Sequence, residues 1–354
     1  MYFKKHLYIL FLILALNLSF FSTNKLNANT FFIDDIEITE KLENNFNKEI
    51  LINKGFKKAY IELISKLVQS KDLSKIKDIK LNEIKSMIET FSIKEEKFIN
   101  KTYNLNLGVS FNKKEILNYL NRKNIFPSQI KEEKFLFIPI LLDQSKNDIM
   151  VYSDNPMYDY WKLDNRREHL IEYVLPTEDL EDLNLIRKNY LEIENYDFKK
   201  IIEKYFLDHS IVALIFRNNN ETKILSKITI KDKKIIKNNS FSDFDFSNDD
   251  EIKVLIGKLK IIYEDLWKDY NQINTSIRFP LLVKVNNQNL DVSSKFEKIL
   301  NEIDLIGKYS IHKFDRDYIY YEILFNGTPK NFLNIMKNQN YSFDTQKKIW
   351  VLNE

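Results

Sequence analysis

Carboxylates and histidines are the residues of this chain whose types could do acid–base chemistry. Asp179 and Asp182 lie in a run of acids, and His169 and His209 are the histidines nearest to it. A carboxylate that orients a histidine can help to activate a nucleophile, which would make the protein a hydrolase. However, no H-x-x-x-H or H-E-x-x-H spacing is present, and Asp179 falls in the first turn of a predicted helix, where the helix dipole favours an anion. We therefore expect structural roles and keep the hydrolase as an alternative.

The chain of 354 residues has no cysteine and only five glycines, which excludes several kinds of site. Without cysteine there is no disulfide, no thiol nucleophile and no Cys-based zinc or iron–sulfur centre. The glycines are isolated, so no Gly-rich phosphate loop can be formed. The one G-x-S sequence ends at Ser110 in a predicted strand, and Asn112 stands where a nucleophile elbow needs glycine. The sequence therefore predicts a protein that is not an enzyme and needs no cofactor.

A tyrosine-rich strand near the C-terminus is a candidate binding surface. Tyr318, Tyr320 and Glu322 alternate along one face of this predicted strand. Exposed aromatic residues on such a sheet can stack on nucleic-acid bases. Neither Lys nor Arg interrupts residues 318–325, so we do not predict a nucleic-acid partner. Stacking on a glycan and packing against a partner remain open, and packing against a neighbouring domain is the favoured interpretation.

The middle of the chain holds a second candidate surface. If this region contains a cleft, we expect Asp143, Asn155, Trp161 and Pro176 to line it. Asp179 belongs to the same candidate surface. No motif assigns a chemical step to these residues, so the prediction concerns binding alone.

The first 28 residues have the order of a secretory signal peptide. Lys4 and Lys5 precede an apolar run from Leu7 to Phe21, and a polar stretch then ends at Ala28. As a helix this run would be roughly 22 Å long, which is short of a hydrocarbon core of about 30 Å. We predict cleavage after Ala28 and a periplasmic protein. The alternative is an uncleaved signal that anchors the protein in the inner membrane, which would be its only membrane contact.

Charge gives no general attraction to nucleic acid or to an anionic membrane. The chain has 54 Lys and Arg against 51 Asp and Glu, and three of the lysines lie in residues 1–28. The mature chain is therefore formally neutral, so its charged residues are expected to form solvated surface.

Hydrophobic patterns divide the mature chain into three mixed α/β units. Residues 29–124 predict an α+β unit in the order β-α-α-β-β-α, with strict alternation from Tyr103 to Phe111. Residues 133–272 alternate helices with strands, as in an α/β unit, and end in a long helix with Ser247 as its expected N-cap. Residues 275–354 predict the ferredoxin-like order β-α-β-β-α-β. Its two helices are expected to be capped by Ser294 and Thr328.

The ordered landmarks of the mature chain resemble a family of exported proteins of Gram-negative bacteria, domain of unknown function 2066 (DUF 2066). The resemblance rests on five short segments, namely GFKKAY (55–60), LGVSF (107–111), FIPIL (137–141), NPMYDYW (155–161) and LPTED (175–179). It covers nearly all of the mature chain. It implies export to the cell envelope and implies no catalytic residue.

Export, neutral charge and the lack of a catalytic motif together favour a binding or scaffolding protein of the cell envelope. Its expected partner is an envelope protein. A glycan-binding protein that holds peptidoglycan through the C-terminal unit is the second hypothesis, by analogy of fold alone.

Overall fold

The structure of the protein is a computed structural model. It describes residues 31–41, 46–144, 146–163, 169–218, 221–242, 244–273, 278–288 and 290–353. Within them the chain forms ten α-helices and three β-sheets, one sheet in each predicted unit. This confirms the prediction of a multi-domain, mixed α/β protein. The predicted signal peptide lies outside the described residues.

The N-terminal unit is a three-stranded antiparallel sheet with helices on one face. Its elements are β1 (Phe32–Lys41), α1 (Lys48–Leu67), α2 (Ser70–Leu73), α3 (Leu81–Met87), β2 (Ile88–Ile99), β3 (Thr102–Phe111) and α4 (Lys113–Arg122). The strand order is β1-β3-β2. Helix α1 packs closely on the sheet at Gly55, where a Cβ atom would overlap the side chain of Leu107. The alternating residues of β3 face this helix and form the core, as the sequence predicted.

The middle unit is a sheet covered by helices on both faces. Its elements are β4 (Glu133–Asp143), β5 (Asp148–Met150), α5 (Pro156–Leu163), β6 (Ile171–Val174), α6 (Leu180–Lys188), α7 (Lys199–Glu203), β7 (His209–Arg217), β8 (Glu221–Ile230), β9 (Lys233–Ser242) and α8 (Asp249–Tyr270). Helices α5 and α8 cover one face, called here the α8 face, and α6 and α7 cover the other, the α6 face. Burial on both faces explains why β4 is apolar along most of its length.

The centre of the middle sheet is β4, which pairs with β7 along one side. On the other side of β4, its N-terminal half pairs with β6 and its C-terminal half pairs with β5. Pro139 lies between these two partners, where its missing N–H costs no ladder hydrogen bond. The Asn155 side chain donates to the carbonyl oxygen of Pro139 at 3.2 Å and accepts from the N–H of Met157. The buried Asn155 side chain thus supplies the hydrogen bond that a neighbouring strand would otherwise make to the Pro139 carbonyl.

The long helix α8 was predicted correctly, but its N-cap was not. The Asn248 side chain accepts from the N–H of Asp250 at 3.0 Å, so Asn248 is the cap. The Ser247 hydroxyl instead donates to Asp245 at 2.6 Å. Both side chains can accept a backbone hydrogen bond, and the bend before the helix decides which one does.

The C-terminal unit has the predicted helices and strands with one addition. Its elements are β10 (Phe279–Asn286), α9 (Leu290–Glu302), β11 (Ile306–Phe314), β12 (Tyr318–Phe325), α10 (Pro329–Asn338), β13 (Ser342–Asp344) and β14 (Ile349–Asn353). The sheet order is β11-β12-β10-β14-β13, and β14 runs parallel to β10. The short strand β13 precedes β14 and pairs with it in the antiparallel direction. As a result β14 is parallel to β10, whereas the last strand of a ferredoxin-like sheet is antiparallel to the first. Thr328 caps α10 as predicted, whereas α9 begins before Ser294, which is therefore not its cap.

Helix α8 also joins the middle unit to the N-terminal unit. Asp265 accepts from the N–H of Ser70 at 2.8 Å, and Asp269 accepts from the Gln69 side chain at 3.2 Å. The C-terminal unit contacts the N-terminal unit through an ion pair of 2.9 Å between Lys113 and Asp304. The N-terminal unit therefore contacts each of the other two units.

Candidate functional site

The residues predicted to line one cleft lie at separate places in the middle unit. Asp143 is buried at the end of β4, 3.8 Å from the Arg217 guanidinium. Asn155 is buried beside Pro139, as described above. The carbonyl oxygen of Pro176 accepts the hydroxyl of Tyr158. Of the four residues, Trp161 alone lines the large cleft of this unit, so the structure does not bring them together.

Asp179 has a structural role that its surroundings explain. Its carboxylate caps α6 by accepting from the N–H groups of Glu181 and Asp182, and it pairs with Lys204 at 2.8 Å. Lys204, followed by these two N–H groups, lowers the pKa of Asp179 below its ordinary value. The buried carboxylate of Asp182 pairs with the same lysine at 2.7 Å.

The aspartates and histidines of the hydrolase hypothesis are not close to each other. Asp182 belongs to α6 and lies near Tyr152, on the α6 face of the sheet. His209 stacks on Phe135, which faces α8, and His169 lines the same cleft as His209. The sheet separates Asp182 from His209, so this pair cannot relay a proton.

The large cleft of the middle unit has a volume of about 910 Å³. It opens where the parallel strands β4, β6 and β7 begin, since Glu133, Ile171 and His209 are the first residues of these strands and all line it. Polar and aromatic side chains contribute to its wall, namely Trp161, His169, Tyr173, His209 and Lys260.

Aromatic stacking on β4 positions two of these side chains. The Trp161 ring stacks on Phe137 with 3.8 Å between centroids, and the His209 ring stacks on Phe135 at 4.7 Å. Phe135 and Phe137 are two residues apart on one face of a strand, which separates them by about 7 Å. The tryptophan and the histidine are thus held as neighbours against the rigid centre of the sheet.

One of these side chains carries a buried polar group without a hydrogen-bond partner. Trp161 is 1% exposed, and its Nε1–H has no hydrogen-bond partner within the described part of the chain. His209 is 3% exposed, and its Nδ1 accepts from the N–H of Lys231 at 3.3 Å. Burial lowers the pKa of His209 below its ordinary value.

Helix α8 carries a buried line of charges, of which Lys260 lines the cleft. Lys260, Glu264 and Lys268 follow each other at four-residue spacing, and none is more than 8% exposed. The Lys260 ammonium lies 5.4 Å from the Trp161 ring and donates to the Trp161 carbonyl oxygen at 3.2 Å. The Glu264 carboxylate accepts from the N–H groups of Leu170 and Ile171 at 2.9–3.1 Å. Burial raises the pKa of Glu264 above its ordinary value.

Sequence patterns did not single out these charged residues. Lys and Glu at four-residue spacing are also typical of a solvated helix face, so the spacing alone does not indicate burial. The available sequence signal for their burial was that this helix of 22 residues has apolar residues on more than one side.

The C-terminal tyrosines lie on a sheet face that no helix of this unit covers. Tyr318 and Tyr320 are half-buried, and their rings are 6.4 Å apart. The ammonium of Lys284 lies 4.2 Å from the Tyr318 ring, and that of Lys313 lies 4.3 Å from the Tyr320 ring. A hydrogen bond to Asp315 raises the pKa of Tyr320. These contacts are all within the C-terminal unit, so the structure does not show the predicted packing against a neighbouring domain.

Two further features bear on the type of site. Among the described ranges, no group of three or more His, Asp or Glu side chains is arranged to hold a metal ion. None of the described helices combines the length and the apolar character needed to cross a bilayer.

Comparison with known proteins gives no family assignment. No protein-family model matches the chain, and no curated protein is significantly similar to it. The resemblance to DUF 2066 therefore stays a prediction.

Proposed function

We propose that this is an exported binding protein of the cell envelope that holds cell-wall glycan on the open face of its C-terminal sheet. The observation that carries the proposal is the pair of tyrosine rings on β12, each with a lysine ammonium over it. The predicted signal peptide would deliver the protein to the periplasm, where peptidoglycan is the abundant polymer.

The chemistry of this face suits an acidic glycan. The apolar face of a sugar ring can stack on Tyr318 or Tyr320 in place of the lysine side chain. Peptidoglycan carries carboxylates on its peptides, and Lys284 and Lys313 can pair with them. The mature chain is formally neutral, so this attraction would be local to the C-terminal sheet.

Replacing Tyr320 with alanine is expected to weaken binding to purified peptidoglycan about threefold to tenfold, because the stacking contact is lost. The measurement is co-sedimentation of the exported chain with peptidoglycan sacculi. Phe314→Ala is the matched control, because Phe314 is a 76% exposed aromatic residue of the same unit on the other side of the sheet. Equal retention of Tyr320→Ala and the unaltered protein would remove the proposal.

A second candidate function is scaffolding through the N-terminal sheet, and the exposure of β2 favours it. This edge strand of 12 residues exposes Phe91, Phe98 and Ile99 by 48%, 64% and 52%. Within the part of the chain that the structure describes, the sheet order leaves one side of β2 without a partner strand. An extended segment of an envelope protein could add to this edge, because it would find both unpaired backbone groups and apolar side chains.

A photo-crosslinking residue in place of Phe98 is expected to trap one reproducible envelope protein in intact cells. The same residue in place of Leu191, which is 93% exposed in the middle unit, is the control and is expected to trap none. Identical crosslinks from both positions would contradict strand addition. Recovery of the protein from the cytosol alone would contradict export.

A further inference from the structure

A second cleft lies between the N-terminal and the C-terminal units, and its volume is about 1150 Å³. The start of α4 and the adjoining ends of β2 and β3 form one wall. The last turn of α9 and the start of β11 form the other wall. No residue of the tyrosine face lines this cleft. Clefts between domains are favoured places for small ligands, so its chemistry bears on a further binding site.

Apolar side chains from both units turn an uncovered side to this cleft. Leu117 packs on the edge of the core of the N-terminal unit. Ile299, Ile303 and Ile335 pack on the edge of the core of the C-terminal unit. All four side chains are only half-buried, and all four line the cleft. Because apolar surface gains free energy when it leaves water, a ligand with an apolar body would be stabilised here.

Lysines outnumber acids in the wall of this cleft. The acids are Glu89, Glu302 and Asp304, and there are four lysines. Lys113 and Asp304 pair with each other at 2.9 Å. The other three lysines, Lys114, Lys298 and Lys308, form no ion pair with any residue that the structure describes. The cleft therefore offers ammonium groups to an anion, although the mature chain as a whole is neutral.

The ion pair between Lys113 and Asp304 limits the shape of a ligand. Lys113 begins α4 and Asp304 lies just after the end of α9, so their contact draws the two walls together. A helical peptide is about 10 Å wide and cannot lie along the cleft at this point. An acyl chain is much narrower. It can lie on Leu117, which is one helical turn beyond Lys113, without breaking the ion pair.

We propose that this cleft binds a single-chain amphiphile with an anionic head group. Its chain would cover the half-buried apolar side chains of the two units, and its head would lie among Lys114, Lys298 and Lys308. A fatty acid and a phosphate ester of a fatty alcohol share this chemistry. The site shares no residue with the tyrosine face, so it can hold or fail independently of the glycan proposal.

Dodecanoate is a suitable probe, and dodecyltrimethylammonium is its counterpart with the same chain and the opposite charge. Equilibrium dialysis of the exported chain, with each probe below its micelle concentration, is expected to give dodecanoate a Kd on the order of 0.1 mM. The cationic probe is expected to bind at least tenfold more weakly, because the lysines repel it. Acetate has the head without the chain and is expected not to bind at about 10 mM. Dodecyl phosphate tests the other head group, and the tighter of the two anions assigns the head to carboxylate or phosphate.

The variant Lys298→Glu is expected to weaken dodecanoate binding about threefold to tenfold at low salt, because it replaces an ammonium of the wall with a carboxylate. Lys295→Glu is the matched control, because Lys295 lies about one turn away on the same helix and outside the cleft. This control is expected to leave the Kd unchanged. Both lysines are exposed, so both variants are expected to fold.

Photolabelling places the bound chain. Dodecanoate with a diazirine on its chain is expected to label peptides from both α4 and α9, because these two helices belong to opposite walls of the cleft. Equal binding of dodecanoate and dodecyltrimethylammonium, equal effects of the two lysine variants, or label confined to one unit would each overturn the proposal.

Discussion

Replacing Glu264 with alanine is expected to lower the free energy of unfolding of the middle unit by about 3–5 kcal/mol. The Glu264 carboxylate is 4% exposed and accepts from the N–H groups of Leu170 and Ile171. These two residues begin β6, so the carboxylate fixes the start of this strand. Alanine would leave both N–H groups buried without an acceptor and would remove the negative charge between Lys260 and Lys268. Hydrogen exchange of the β4 and β7 amides measures the loss.

A surface glutamate provides the control for this effect. Glu203 pairs with Lys199 at 3.5 Å, and both side chains are more than 60% exposed. Glu203→Ala is expected to change stability by less than about 0.5 kcal/mol, because solvent screens such a pair. If the two glutamate variants lose similar stability, the carboxylate of Glu264 does not hold β6.

The variant Glu264→Gln is expected to change the pH dependence of stability. Burial raises the pKa of Glu264 in the folded protein, while the N–H bonds of Ile171 and Leu170 and the charge of Lys268 oppose the rise and Asp265 adds to it. Its contribution to stability is therefore fully present below the ordinary pKa and is lost as the pH rises through the folded pKa. We expect the stability of the unaltered protein, relative to Glu264→Gln, to fall as the pH rises from about 4.5. A constant difference across this range would contradict the raised pKa.

Replacing Trp161 with alanine is expected to destabilise the middle unit by about 3–5 kcal/mol, because it leaves a cavity in a packed core. The indole is 1% exposed and stacks on Phe137 at 3.8 Å. It also contacts Tyr173 and Tyr263, so the cavity is surrounded by large rings that cannot easily collapse into it. Urea unfolding followed by circular dichroism measures the loss, with hydrogen exchange of β4 to place it in the middle unit.

Two variants separate the cavity from other causes. Trp161→Phe keeps a ring on Phe137 and removes the unpaired N–H, so we expect it to cost less than half as much as alanine. Trp350→Ala removes a half-buried tryptophan from the C-terminal sheet and is expected to leave the β4 amides as protected as before. Loss of β4 protection in Trp350→Ala, or a cost below about 1 kcal/mol for Trp161→Ala, would contradict this interpretation.

Local patterns were enough to predict most of the helices and strands. The alternation along β3, the apolar run of β4 and the Thr-Pro start of α10 each reflect a short-range rule that the folded chain obeys. The predicted caps at Ser247 and Ser294 were wrong, because several side chains near a helix start can accept a hydrogen bond and the path of the chain selects one.

The candidate sites depend on contacts between distant segments, and local sequence patterns predicted fewer of their residues. Of the residues predicted to line a cleft, Trp161 does so. His209, which also lines it, was expected to have a structural role, and Lys260 was not singled out. Asp179 was correctly expected to stabilise a helix N-terminus, because that interaction lies within four residues.

By itself, the sequence determined the mixed α/β class of a multi-domain chain and the absence of every chemistry that needs cysteine, because these follow from composition and from the period of the apolar residues. The tertiary structure decided that β14 runs parallel to β10, that Lys260 is buried, and that Trp161 and His209 stack on neighbouring positions of β4. These facts depend on pairs of residues as many as 99 positions apart. No local pattern encodes which distant partner a side chain will meet, because packing of the whole chain makes that choice.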